Sequence, residues 1–288
     1  MLTKAISIFS LVFILGMTCS MALALDAALV SGALLHLDAR EQTEKDVTWK
    51  NRGKAGGEIP ATGKPPVLEE GDIKIPALGI NEPAKWYTLK ESNSTFSGPA
   101  GDPIPKLAIE AWTLEILAKR NGEKFLEEHH LVGFQTDPRE NVQGIRIRLK
   151  DGAGMIDMWT MGKKNGKAVW YDQGELGIDI KKDEWHWMAF VWNNGQSLVI
   201  YQDGKQVGKN EAKASTVEFD AKTPIDSISI GANHFDERRR AFNGSFAIVR
   251  VYDKALSAVE IMKNIRGTFA VKPANKLAAT WGKVKTSF

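Results

Sequence analysis

Trp185-His186-Trp187-Met188-Ala189-Phe190-Val191-Trp192 is followed, after Asn193-Asn194-Gly195-Gln196, by Ser197-Leu198-Val199-Ile200-Tyr201-Gln202. The first run is apolar at nearly every position, so neither of its faces can meet water without cost. Such a strand predicts a place in the middle of a layered sheet, with its rings filling the space between layers. In the second run Leu198 and Ile200 alternate with Val199 and Tyr201, which is the two-residue period of a strand. Asp203-Gly204 supplies the positive backbone angles of a tight hairpin, and Lys205-Gln206-Val207-Gly208 returns as a short edge. The stretch reads as a three-strand antiparallel meander.

Residues 185–208 also resemble the central signature of the laminin-G-like, concanavalin A-like jelly rolls. In that family a W-H-x-hydrophobic strand precedes a strand ending in Y-x-D-G, matched here by Trp185-His186 and by Tyr201 with Asp203-Gly204. Ile228-Ser229-Ile230-Gly231-Ala232 is similar to the family's I-x-I-G strand. Phe242 to Ser257 is similar to its closing F-x-G-x-I-x-x-V-R-V-Y-D-x-x-L-S. The three pieces stand in the family's order over about half the chain. The resemblance implies an all-β, two-layer antiparallel β-sandwich (jelly roll) with a short C-terminal helix. It implies no single function, because sandwiches of this type serve binding modules, adhesion modules and glycosidases alike.

Met1–Ala24 reads as a secretory signal: Lys4 gives the charged start, Ile6–Met17 the apolar run, and Ala22-Leu23-Ala24 a small-residue cleavage pattern. The apolar run is shorter than the roughly 20 residues that a membrane span needs. The expected location is therefore secreted or periplasmic, with no membrane span in the mature chain. Cys19 is the only cysteine, so the chain beyond Ala24 has no disulfide to staple it and relies on its core. The formal charge of +3 is small for 288 residues and predicts no nucleic-acid or membrane field.

Residues 25–266 are expected to form the jelly roll, with 267–288 as a basic tail carrying four lysines and no acid. Within the domain, residues 40–106 form a long excursion that holds eight of the eleven prolines and many glycines. That density predicts no long helix and no central strand there, only short strands such as Lys85–Lys90. Other strands are expected at Ala28–Asp38, Ala111–Lys119, Leu131–Gln135, Ile156–Met161, Lys167–Asp172, Leu176–Ile180 and Phe246–Tyr252. Gln143–Lys150 alternates Ile145, Ile147 and Leu149 with Arg146 and Arg148, the pattern of a half-buried strand. Ser257-Ala258-Val259-Glu260 forms a capping box that should open a helix running to about Arg266.

The glucanases that share this fold place paired carboxylates on one strand as E-x-D-x-E, at the separation that retaining hydrolysis needs. This sequence lacks the pattern; Glu175 with Asp179, and Glu218 with Asp220, are its nearest approaches. Glu127-Glu128-His129-His130 puts two possible metal ligands on each face of a strand, short of the three or four a zinc site requires. The family resemblance implies a structural Ca²⁺ at the sandwich rim, with Asp38 and Asn243 placed to serve as ligands. Where the family has a compact D-x-S-G-N-G-N loop, this chain has Trp49 to Gly57, and its Arg52 and Lys54 oppose a cation. Sugar binding needs flat aromatic faces with polar groups beside them. The candidates are Trp170, Tyr171 and Asp172, then Trp86 and Tyr87, then Trp159. Adjacent residues on a strand point to opposite faces, so one ring of each pair is expected in the core.

Three functions follow as expectations. The first is a secreted, non-catalytic recognition module that binds a glycan or a cell-surface protein. The second is a polysaccharide-acting hydrolase, which the missing carboxylate triplet disfavours. The third is a structural or adhesion component of an exported assembly, with the excursion as its contact surface.

Overall fold

The computed structural model describes residues 29–43, 48–89, 94–99, 111–121, 129–136, 144–150, 155–193, 196–210, 227–232 and 242–270. Its strands are β1 (Leu35–Asp38), β2 (Thr48–Lys50), β3 (Glu58–Gly63), β4 (Val67–Ile75), β5 (Ile80–Leu89), β6 (Ser94–Pro99), β7 (Ala111–Arg120) and β8 (His129–Gln135). They continue as β9 (Gly144–Leu149), β10 (Met155–Lys164), β11 (Lys167–Asp179), β12 (Trp185–Asn193), β13 (Ser197–Gln202), β14 (Lys205–Asn210), β15 (Ser227–Ile230) and β16 (Gly244–Tyr252). Among the described residues one α-helix, α1, spans Ala258–Phe269. It starts directly after Ser257, as the capping box predicts, and runs three residues past the expected end.

The strands form two antiparallel sheets. In the first the order is β14-β13-β12-β7-β16-β5-β4, with β1 also paired to β16; in the second it is β11-β10-β9-β8-β15-β6-β3-β2. The meander is present as read, and Asp203 and Gly204 have φ of 49° and 75° at its tight turn. β12 lies between β13 and β7 and is buried along almost its whole length.

Alternation sorts each strand between the sandwich core and an outer face. Met188, Phe190 and Trp192 of β12 join Trp112, Leu114 and Ile116 of β7 in the core. They meet Val132 and Phe134 of β8, Ile145 and Ile147 of β9, and Ile156 and Met158 of β10 from the other sheet. The alternate residues of β12 and β7, including Trp187 and Leu117, are buried as well but on the outer face. At one edge the sheets are pinned together. The Gln202 side chain donates to Asp179 O at 2.9 Å and accepts from Asp179 N at 3.3 Å. The backbones there come so close that a Cβ on Gly177 would lie 2.7 Å from Val207 O.

The excursion corrects one expectation. β5 is paired on both sides, by β16 and β4, and β6 is paired by β15 and β3, so this region does supply interior strands. Pro60 and Pro83 survive inside strands because each sits where its ladder is one-sided. Pro60 is opposite Thr48 of β2, and β6 pairs only from Ala61 onward. Pro83 faces Asp72 of β4, beyond the short segment that β16 pairs. A missing N–H then leaves no broken bond. Lys167–Asp172 and Leu176–Ile180 are likewise one strand, β11. β1 is shorter than expected, starting at Leu35.

By contacts the chain divides into Gly32–Ala258, which holds both sheets, and a second unit of Met1–Ser31 with Val259–Phe288, which holds the helix. In that second unit Val30 N–H donates to the buried Asn264 Oδ1 at 2.8 Å. No helix among the described residues is long and apolar enough to cross a membrane.

Candidate functional site

The outer face of the first sheet is roofed. Three steps across a flat sheet separate β5 from β12, roughly 14 Å, yet the Trp86 and Trp185 rings meet edge to face at 5.3 Å. β4 contacts β12 across the same face, and its Ile73 and Ile75 are buried there. The β4–β5 hairpin of the Pro/Gly excursion therefore curls over a concave face. Gly71 is required under it, since a Cβ would come within 2.7 Å of the Trp86 ring. The Lys119 ammonium lies 5.2 and 5.3 Å from the Trp86 and Trp185 rings, a cation–π arrangement.

Deeper on this face Arg250 and Glu115 are fully buried with 4.0 Å between Nη1 and Oε2. The guanidinium also stands 5.4 Å from the Trp187 ring. Burial works against the Arg250 charge and lowers its pKa, while the Glu115 carboxylate partly restores it.

Four of the residues singled out from the sequence fall on or near this roofed sheet. Trp86 is locked under the hairpin. Tyr87 points the other way, into the core, 5.2 Å from Trp49 and 4.9 Å from Phe96. Neither presents a ring to solvent. Asp38 is 3% exposed and its carboxylate is gripped by Arg40 through Nε at 2.8 Å and through Nη2. Burial alone would raise the Asp38 pKa; the Arg40 hydrogen bonds and charge, with His36 and Arg250 nearby, outweigh it and hold the carboxyl well below the usual range. Asn243 accepts from Asn121 N–H through its backbone oxygen at 3.0 Å.

This donor set does not fit calcium, because the one carboxylate is already neutralised by a guanidinium. The Trp49–Gly57 turn is held by an amide instead. Asn51 Oδ1 accepts from His36 N and Gly53 N, both at 2.8 Å. Its Nδ2 donates to Leu34 O at 3.2 Å and Gly56 O at 2.9 Å.

The outer face of the second sheet carries a buried polar network. Arg148 donates to both oxygens of Asp157, at 2.8 and 2.5 Å, and the pair is buried at 6% and 1% exposure. The same guanidinium lies 4.5 Å over the half-buried Trp159 ring. Next to it, Arg146 Nε and Nη2 donate to Gln135 Oε1 at 3.2 and 3.1 Å. His130 stands opposite Arg148 in the ladder. A bidentate pair fixes the guanidinium plane, and the fixed plane backs one side of the indole.

Register brings the remaining candidates to this region. Trp159 pairs with Asp172, Thr160 with Tyr171 and Met161 with Trp170. The side chains of 170–175 lie outside the described set, as do Glu127, Glu128 and Glu218. The pairing of Arg148 with Asp157 was not legible in the sequence; the available signal was an acid at 157 between the core residues Ile156 and Met158, on the strand next to that of Arg148.

His186, at the head of β12, is tied to its own hairpin: Nδ1 meets Asp203 Oδ2 at 2.9 Å, and Asp203 Oδ1 accepts from Trp187 N–H at 2.9 Å. The turn aspartate thus clamps its own hairpin to the head of β12. No group of three metal-ligating side chains occurs among the described residues.

A family model described as the concanavalin A-like lectin/glucanases superfamily, a laminin G group, matches residues 105–262. No curated protein matches the chain. Among solved structures, domain 4 of AbnA, a GH43 extracellular arabinanase from Geobacillus stearothermophilus in complex with arabinotriose, aligns with a TM-score of 0.56 at 17% identity. That alignment covers 82% of this chain and 98% of that one. The receptor binding domain of botulinum neurotoxin C/D mosaic serotype aligns with a TM-score of 0.52 at 14% identity, over 82% of this chain and 51% of the other. A Trypanosoma rangeli sialidase aligns with a TM-score of 0.52 at 12% identity, over 82% and 32%. At these identities the likeness is one of fold.

Proposed function

The chain belongs to the concanavalin A-like lectin/glucanases superfamily, and from that premise we propose that it is a non-catalytic recognition module that binds glycan on the outer face of the second sheet. The observation that carries this reading is the Trp159–Arg148–Asp157 arrangement: a partly exposed indole, backed by a guanidinium that an acid holds in plane. A flat ring offers the apolar face of a sugar a surface to stack on, and the flanking polar groups meet its hydroxyls. The concave face of the first sheet is closed to such a ligand by the β4–β5 hairpin, which leaves the second sheet as the binding side.

One of the similar structures supports the class of ligand: the arabinanase domain is in complex with arabinotriose. Hydrolysis is disfavoured on chemical grounds. It needs two opposed carboxylates free to trade a proton, and Asp157 is committed to Arg148. The apolar start of the chain supports export as the route by which the module meets its glycan.

Affinity electrophoresis against a panel of soluble polysaccharides tests the proposal. Retention by at least one glycan, lost in Trp159→Ala while the fold is kept, is the expected result. A protein retained by none of them, or a variant retained as well as the parent, overturns it. Release of reducing sugar by the purified protein would move the reading to a hydrolase.

A further inference from the structure

The β4–β5 hairpin closes the concave face of the first sheet, yet it carries a cavity of its own, of about 510 Å³. That volume lies within the roughly 300–1,000 Å³ of small-ligand sites, and every residue lining it is exposed or half-buried. Three successive rungs of the hairpin ladder wall it: Glu70 with Lys85, Gly71 with Ala84, and Asp72 with Pro83. The middle rung carries nothing larger than a methyl, which leaves room between the two outer ones. It cannot be filled from Gly71, where a Cβ would stand 2.7 Å from the Trp86 ring. Alternation puts Glu70 and Asp72 on one face of β4. Arg40 joins the lining from the 3₁₀ turn Ala39–Glu41 that follows β1.

The charges here are matched one for one. Lys85 Nζ lies 3.0 Å from Glu70 Oε1, and Lys74 Nζ lies 4.0 Å from Asp72 Oδ2. Asp38 accepts from Arg40 Nε at 2.8 Å and from Nη2. Burial works against the Arg40 charge, but the Asp38 hydrogen bonds and carboxylate outweigh it and raise the pKa. The guanidinium is thus a fixed cation whose side chain keeps 29% of its surface exposed.

A balanced lining gives an ion no net field to follow. It does set two carboxylates that accept beside two cations that donate. A hydroxyl both donates and accepts, so neighbouring sugar hydroxyls need both kinds of partner at once. Exposed ion pairs such as Lys85–Glu70 add little stability, so a ligand that shares their atoms disturbs the fold little.

We propose that this cavity holds a neutral sugar unit, as a second and weaker glycan subsite carried by the hairpin. Glu70 and Asp72 accept from adjacent hydroxyls, Lys85 and Arg40 donate, and Pro83 and Ala84 offer apolar surface to the ring carbons. The inference takes glycan as the ligand class from the reading above, but not its place. With no aromatic ring in the lining, the dissociation constant should lie near about 1 mM, too weak for retention in a gel.

Saturation-transfer NMR on the full chain tests this, with maltotriose, cellotriose and arabinotriose as probes and Trp159→Ala as the background that silences the other face. Transfer to at least one trisaccharide is expected. Asp72→Ala or Glu70→Ala should weaken it about tenfold or more, the loss of a charge-assisted hydrogen bond, while these exposed substitutions keep the fold. Affinity should change less than about twofold between roughly 0.05 and 0.5 M salt, because the lining is balanced. If Trp159→Ala does not fold, the same two substitutions in the parent should remove one of two sites. No transfer, transfer untouched by either hairpin substitution, or binding that collapses with salt overturns the subsite and leaves the Trp159 face standing. Transfer lost only with the hairpin substitutions, in a protein whose gel retention ignores Trp159, keeps the subsite and sinks the Trp159 face.

Discussion

The Trp86 and Trp185 rings touch at 5.3 Å although β16 and β7 lie between their strands. That contact closes the concave face of the first sheet. It also explains the Pro/Gly-rich region, which supplies a hairpin long enough to curl back over the sheet and bury Ile73 and Ile75 against it.

Trp86→Ala should cost roughly 3–5 kcal/mol, the range for removing a buried large aromatic. Denaturant unfolding reads the loss, and limited proteolysis should show new cleavage within residues 67–89. A change below about 1 kcal/mol with no new cleavage would mean the hairpin is held by something else.

Glu115→Gln strands the fully buried Arg250 without its carboxylate. Breaking one partner of a buried ion pair costs roughly 3–5 kcal/mol, whereas replacing the pair with apolar residues is often neutral. Glu115→Gln with Arg250→Met should therefore be more stable than Glu115→Gln alone in the same unfolding measurement. A double variant less stable than either single one would refute the pairing.

Acid should destabilise the protein through Asp38. Its folded pKa lies well below the ordinary carboxylate value, which is about 3.9. A depressed folded pKa contributes stability that is complete above the unfolded value and is lost as pH falls through the folded one. Stability should thus decline below about pH 4. Asp38→Asn should be less stable near neutrality, with the gap to the parent closing in acid. Parallel pH profiles for the two proteins would remove Asp38 from the acid limb.

Chelation should leave the melting temperature unchanged, because Asp38 is neutralised by Arg40 and the neighbouring turn is organised by Asn51. A bound metal at a hundred times its dissociation constant would add roughly 2.7 kcal/mol, a shift that calorimetry with and without chelator resolves easily. Such a shift would place a cation elsewhere on the rim.

Export predicts a mature chain beginning at Leu25. Intact-mass measurement on protein recovered from outside the cytoplasm checks this, and retention of Met1–Ala24 would count against export.

The strands were legible because their cause is local. Alternation at 145–149, the unbroken apolar run at 185–192 and the Asp203-Gly204 turn each express a backbone preference within a few residues. Ser257 and Glu260 likewise announced the start of the helix. The interior strands of the excursion were not legible, since a proline penalises a strand only where a neighbour needs its N–H, and that depends on which strand lies beside it. Asp203 was read for its backbone angles alone; its clamp on His186 spans 17 positions of sequence.

By itself the sequence determined the sandwich class, the order of its closing strands and the division of those strands into two faces. The tertiary structure alone decided what lies over those faces. Parity tells that Arg148 and Ile147 point apart, but not that Asp157, nine positions on, meets Arg148 with both oxygens. Nor does it tell that Trp86 is roofed while Trp159 stays half-buried. The reason is physical: side-chain direction is set by adjacent backbone angles, whereas burial and charge pairing are set by groups that only the curl of the sheets brings together.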